Sequence, residues 1–345
     1  MDIKALQNEI ADYCKREHIG GILRITSKDQ ILFEQHLGMA DYARGIPFSG
    51  ESRFSLYSLS KPFCAIGLLK LFDKGLIDLD AHPSRYVPEA AGLDKRVTLR
   101  HMLHHVSGLP DFEQTEQFKA AHPSGAPEEL RGQLKELCQY PSLFAPGTAA
   151  KYCNINFSLC ALVTENVAGM PYAAYMKNEV FAPLGAYTAV VDREGVEIPS
   201  RVQGYEWDGT ALVEVKRATD WMLGAGDVVA TVDDVYCLNR AIKHRLLLKG
   251  STWEMLLTPS PLNKMGMGCT VSVWHGKRRI THNGGHTGFR TLHVQLPDDD
   301  LDIILLSNSG FGDARKAISE MIHQAFYGKD DTASDEVQMD KGYIK

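Results

Sequence analysis

No stretch of this 345-residue chain approaches the roughly 18 consecutive apolar residues of a membrane-spanning helix. Its first residues also lack the apolar run and small-residue cleavage site of a secretory signal. Asp2, Lys4, Leu6, Glu9, Ile10 and Tyr13 read instead as an amphipathic surface helix. The expectation is a cytoplasmic protein with no membrane partner. Excess positive charge is missing too: the formal net charge of −6 gives no footing for nucleic acid. The seven cysteines (Cys14, Cys64, Cys138, Cys153, Cys160, Cys237 and Cys269) are odd in number, scattered and without a C-x-x-C pair. They suggest neither a disulfide framework nor a zinc ribbon. Gly224-Ala225-Gly226 and Gly266-Met267-Gly268 each lack the third glycine of a dinucleotide loop, and no cofactor is expected.

What the chain does have is Ser58-Leu59-Ser60-Lys61, followed at once by an apolar stretch from Phe63 to Phe72. Residues three apart on a helix share a face, with β-carbons about 5–6 Å apart, so the Lys61 amine can fold back toward the Ser58 hydroxyl. Pro62 is tolerated only near a helix start, which places Ser58 close to the helix N-terminus. The free N–H groups there suit a serine whose substrate becomes an oxyanion.

Two later segments add to this pair. Tyr152-Cys153-Asn154 follows a Pro146-Gly147 turn and precedes the apolar-periodic run Phe157, Leu159, Cys160, Leu162, Val163, which puts it on a loop entering a helix. His282-Asn283-Gly284-Gly285 is expected to close a short strand (279–281) and to lead through Gly288 into another (289–296).

In this order and spacing, the three elements resemble the penicillin-recognising serine hydrolases, specifically the class C β-lactamase branch. That branch also holds D,D-peptidases, D-aminopeptidases and carboxylesterases. The resemblance runs from about Gly20 to about Phe326. It includes Asp78-Leu79-Asp80, Thr98 to Leu103 with Ser107-Gly108-Leu109-Pro110, Pro183-Leu184-Gly185, and Gly224-Ala225-Gly226-Asp227 ahead of Thr231. It implies an α+β fold of the β-lactamase/transpeptidase type, an antiparallel β-sheet flanked by helices with an inserted all-α domain. The expected division is a discontinuous sheet domain (1–76 with 200–328), an all-α domain (77–199) and a flexible tail (329–345), with the site in the cleft between the domains.

The resemblance also implies an acyl-enzyme on Ser58, with Lys61 and Tyr152 as catalytic partners. Either the Lys61 amine or a Tyr152 phenolate takes the serine proton, and the sequence leaves that choice open. Asn154, His282, Gly284 and Gly285 are the implied substrate contacts, with the backbone N–H groups of Ser58 and Gly285 holding the oxyanion. Related β-lactamases carry Lys-Thr-Gly where this chain has His282-Asn283-Gly284. Histidine is mostly neutral near pH 7, so the demand for an anionic substrate is weaker, although Arg290 can supply a cation if its side chain turns into the cleft. The expected substrate is a small ester, amide or short peptide.

The closest alternatives are a D-amino-acid peptidase, a D,D-carboxypeptidase or a true β-lactamase. From other classes stand a zinc-dependent hydrolase, drawing on His101, His104, His105, His282, His286 and His293, and a non-catalytic penicillin-binding sensor. A Cys153 thiol nucleophile has no base placed for it. Oligomeric state is not legible.

Overall fold

The computed structural model describes residues 2–111, 127–193, 195–215 and 222–328. Helix α1 (Ile3–Arg16) forms as the sequence suggests. Asp2 caps it by accepting from the Ala5 N–H, and Leu6, Ile10 and Cys14 make one buried stripe. Strands β1 (Gly21–Ser27) and β2 (Gln30–Leu37) are joined by Lys28-Asp29, both at positive φ, the two-residue turn whose twist matches antiparallel strands. The chain returns to this sheet only near its end, with β3 (Thr270–Trp274), β4 (Lys277–His286), β5 (Phe289–Leu296) and β6 (Leu301–Ser307). The order is β3-β4-β5-β6-β1-β2, antiparallel throughout, and Gly21 pairs with Ser307 where the two chain ends meet.

Alternation of side chains gives the sheet two apolar faces. Leu292, Val294, Leu305 and Ile303 pack against α1 and the last helix, α8 (Ala314–Tyr327). Ile280, Ile304 and Leu306 join the larger core on the other side, built around α2 (Lys61–Asp73) and α5 (Ile155–Ala168). These two helices are buried nearly all round, as helices apolar on every face must be. Gly67 lets the segment around Met176 approach α2, since a β-carbon there would lie 2.9 Å from the Met176 sulfur. Between the sheet strands the chain is mostly helical, with α3 (Leu99–Leu103) and α4 (Pro127–Leu137) preceding α5, and α6 (Val232–His244) and α7 (Gly250–Leu257) following it.

Two local expectations are corrected. The glycine motif does not close a strand at Thr281: β4 runs unbroken to His286, because Gly284 and Gly285 pair with Thr291 and Arg290. Residues 77–199 are not free of strand, since Val190–Val191 pairs with Val228–Ala230, which also pairs with Phe54–Ser55. Tyr172–Tyr175 is an α-helical turn followed by a π-helical segment, Met176–Phe181. Helix α6 went unread although it carries a capping box, in which Thr231 and Asp234 each accept from the other's N–H. Residues 329–345, expected to be a flexible tail, lie outside the described residues.

Candidate active site

Ser58 sits in a 3-10 turn, Tyr57–Ser60, that runs directly into α2, so the α-helix itself begins at Lys61. Tyr57 holds φ at +48°, a conformation that non-glycine residues adopt only when their surroundings enforce it. Its surroundings do so: Tyr57 is 2% exposed, packs on His286 and Phe289, and donates its hydroxyl to the Thr287 carbonyl. The turn is also fastened from the opposite side, where the Ser60 hydroxyl accepts from the Val228 N–H.

Lys61 is fully buried, and its Nζ lies 3.1 Å from Ser58 Oγ, 2.8 Å from Asn154 Oδ1 and 2.7 Å from the Ala225 carbonyl oxygen. Two of the three motifs meet at this point, and the third oxygen comes from the Gly224–Asp227 segment. The Gly224–Asp227 turn aims the Ala225 carbonyl: Gly224 takes φ +70°, and its N–H donates to the Asp227 carboxylate at 2.8 Å. Burial pushes the Asp227 carboxyl up to about 7. Asn154 is anchored at the start of α5 by its own N–H, which donates to Asp111 at 2.7 Å.

The Tyr152 ring lies 4.7 Å from Lys61 Nζ and stacks on His105 at 4.3 Å. His105 is the support that sequence reasoning missed, having counted it only among possible metal ligands. Its Nδ1 accepts the Cys153 N–H at 3.1 Å, which leaves the ring proton on Nε2. Burial holds this imidazole well below its usual range, so it is neutral. Its signal in the sequence was Thr98-Leu99-Arg100-His101-Met102-Leu103, the capped turn of helix that delivers it. Cys153 is itself 1% exposed, with its sulfur 3.7 Å from the Pro110 carbonyl.

His282 stands on β4, with its ring 6.5 Å from that of Tyr152. Its Nδ1 donates to the Asn283 carbonyl at 2.6 Å, and its buried Nε2 has no partner among the described residues. Burial, reinforced by the Lys61 charge, brings it down to about 3. It is therefore a neutral ring whose remaining nitrogen is an acceptor, the opposite of a lysine ammonium. Because β3 pairs β4 only as far as Thr281, the outer edge of β4 from His282 onward is left to the Ser58 turn that packs on it. Gly284 makes that approach feasible: a β-carbon there would fall 2.0 Å from the Leu56 carbonyl oxygen.

Arg290 does not join this group. Its register partner is Gly285, and it alternates with Leu292 and Val294 on the face that meets the terminal helices. Its Nη1 turns back to the carbonyls of His286 and Phe289, both at 2.8 Å. The six histidines considered as metal ligands are likewise dispersed: His104 bonds the Met265 carbonyl and His293 the Asn239 side chain. Among the described residues the ligand atoms that do converge are those of His275, Glu320 and His323, at the far end of the sheet. There the two imidazoles stack face to face at 3.8 Å, and His275 Nε2 lies 3.1 Å from the Glu320 carboxylate.

With this geometry in place, comparison with known proteins gives a consistent result. The model of the Beta-lactamase family matches residues 6–325. The chain belongs to that family. It is 27% identical to penicillin-binding protein 4* of Bacillus subtilis, over 88% of this chain and 71% of that one. Identity to a D-aminopeptidase of Gluconobacter oxydans is 24%, over 84% of this chain and 55% of that longer protein. The fold superposes on D-amino acid amidase from Ochrobactrum anthropi with a TM-score of 0.79, at 22% identity, covering 95% of this chain and 99% of that one. This beta-lactamase-family chain is thus a hydrolase of the serine β-lactamase fold, a group that includes D-aminopeptidases, amidases and esterases. Among its described residues, no helix is long and apolar enough to cross a membrane.

Proposed function

We propose that this chain hydrolyses small amides or esters through an acyl-enzyme on Ser58, and that it favours substrates without a free carboxylate at the His282 position. The observation that carries this reading is the set of three oxygens around the Lys61 amine. As an ammonium Lys61 donates to all three oxygens; on losing one proton it keeps two N–H donors and gains a lone pair. With its donors on the carbonyl oxygens of Asn154 and Ala225, the lone pair faces the Ser58 hydroxyl 3.1 Å away. Only the proton between Ser58 and Lys61 has to move to make the nucleophile.

In the first half-reaction Ser58 Oγ bonds to the substrate carbonyl carbon as its proton passes to Lys61. The carbonyl electrons shift to oxygen, which is held by the Ser58 and Gly285 N–H groups. Collapse of this intermediate breaks the bond to the leaving alkoxide or amine, which departs protonated through Lys61 and Tyr152. Water then attacks the acyl-serine, its proton being relayed through Tyr152 and Lys61 to Ser58 Oγ as the acyl C–O bond breaks, and the acid leaves with Ser58 restored.

The neutral His282 acceptor supports a hydrogen-bond donor on the substrate beside it, such as an amide N–H or an amine, over a carboxylate. Similarity to D-aminopeptidases and to D-amino acid amidase supports a D-aminoacyl amide as the second, narrower reading. A panel of neutral esters, D- and L-aminoacyl anilides and a cephalosporin, run on wild type and Ser58→Ala, tests both. Turnover of neutral esters or amides that vanishes in Ser58→Ala is expected. Turnover of the cephalosporin alone would replace this reading with a β-lactamase.

A further inference from the structure

The start of α8 reaches the back of the glycine motif. Arg315, second residue of that helix, is 9% exposed, and its Nη1 donates to the Gly284 carbonyl oxygen at 3.1 Å. The other side of the guanidinium is clamped by Asp313, with Nε donating to Oδ1 at 2.7 Å and Nη2 to Oδ2. The Gly284 carbonyl and the Gly285 N–H are two ends of one peptide group. That peptide is trans, so the N–H points away from Arg315, out of the opposite side of the strand. A second guanidinium lies on the same back surface: a β-carbon built on Gly285 would be 3.1 Å from Arg290 Cδ.

Donation to a carbonyl oxygen draws amide electron density toward that oxygen and leaves the N–H more positive, so hydrogen bonds along the chain strengthen one another. A charged donor does this more than a neutral one. A buried cation on the carbonyl end therefore acts on whatever accepts from the N–H end.

We propose that Arg315 is a positioning residue for the oxyanion site, fixing and polarising the Gly284–Gly285 peptide so that the Gly285 N–H donates more strongly to the tetrahedral intermediate. This rests on the reading that Gly285 holds the oxyanion of a Ser58 acyl-transfer reaction. The polarised N–H acts on charge that develops only in the transition state, so its loss appears in kcat and not in KM. If Arg315 only fastens α8 to the sheet, its loss costs stability and leaves the balance of kcat and KM untouched.

The experiment uses the full chain with a neutral activated ester, comparing wild type, Arg315→Met, Arg315→Gln and Arg315→Lys below the lowest melting temperature of the set. Affinity for a boronic acid that forms a charged tetrahedral adduct is measured beside it. Arg315→Met is expected to lower kcat about tenfold, less than the loss on removing an oxyanion donor outright. KM should stay within about twofold, and boronate affinity should fall by a factor similar to that in kcat. Arg315→Lys restores most of the rate by returning a charged donor, and Arg315→Gln falls between; these two decide the matter if Arg315→Met does not fold. Equal kcat in all folded variants, or a loss confined to KM, would overturn the proposal. Should wild type itself fail to acylate Ser58, the underlying reading falls instead.

Discussion

The Tyr57 hydroxyl donates to the Thr287 carbonyl at 3.2 Å, tying the residue before the nucleophile to the turn that joins β4 to β5. Ser58 and Gly285, whose N–H groups are proposed to share one oxyanion, thus have their separation held by this side chain together with the Thr291 hydroxyl, which donates to the Leu56 carbonyl at 2.8 Å. Tyr57→Phe keeps the packing and removes the tether. It should cost about 1 kcal/mol of stability, as for one hydrogen bond, yet lower kcat several-fold because the two donors lose their fixed spacing. Unfolding midpoints and steady-state kinetics measured together check this; a stability loss with unchanged kcat would show that the tether is only structural.

His282 stands where a lysine ammonium serves related β-lactamases, and burial near the Lys61 charge keeps it neutral, with its pKa down at about 3. A matched ester pair, with and without a free carboxylate, should be handled with no preference for the anion in wild type. His282→Lys should improve kcat/KM for the carboxylate member by about 1 kcal/mol of transition-state binding in a partly solvated site. A strong wild-type preference for the carboxylate would remove the neutral-substrate reading.

The buried Asp227 beneath the Ala225 turn gives a pH signature in stability. Its carboxyl is raised to about 7 in the folded chain by burial, against an unfolded value of 3.8. Between those values unfolding releases its proton, so its contribution falls as pH rises and is flat above about 7, with a slope near 1.4 kcal/mol per pH unit at most. His282 and His293, each lowered to about 3, have the opposite sign, since unfolding below pH 6.5 lets them charge. Wild type alone therefore shows a partly cancelled curve, and the difference from Asp227→Asn isolates the carboxyl. Urea unfolding at pH 5 and pH 8 should show Asp227→Asn gaining on wild type at the higher pH. An unchanged difference between the two variants would contradict the raised value.

The parts of this molecule that were legible in the sequence are those where local chemistry decides. The stripe of α1 and the apolar periodicity of α5 are set by residues within a few positions of one another. Ser58 and Lys61, three apart, were readable for the same reason, and they meet at 3.1 Å. Long-range partners were not. Nothing near Ala225 announces that its carbonyl will cap a lysine 164 residues away, and nothing near Arg315 announces the Gly284 carbonyl. Arg290 was considered for the cleft as the cation that His282 does not supply, but the period of two along β5 decides its face and sends it to the far side. The continuation of β4 through two glycines was hidden because glycine has no side-chain preference for strand, and the pairing with β5 supplies the order.

The central claim is that Ser58 carries the acyl group, and the most direct measurement is intact-protein mass after exposure to a fluorophosphonate, a slow ester or a β-lactam. The wild-type mass should rise by one phosphonyl or acyl group, peptide mapping should place it on Ser58, and Ser58→Ala should stay unlabelled. Label that persists in Ser58→Ala and maps to Cys153 or Ser60, or a wild type that turns over ester while never acquiring the mass, would contradict it.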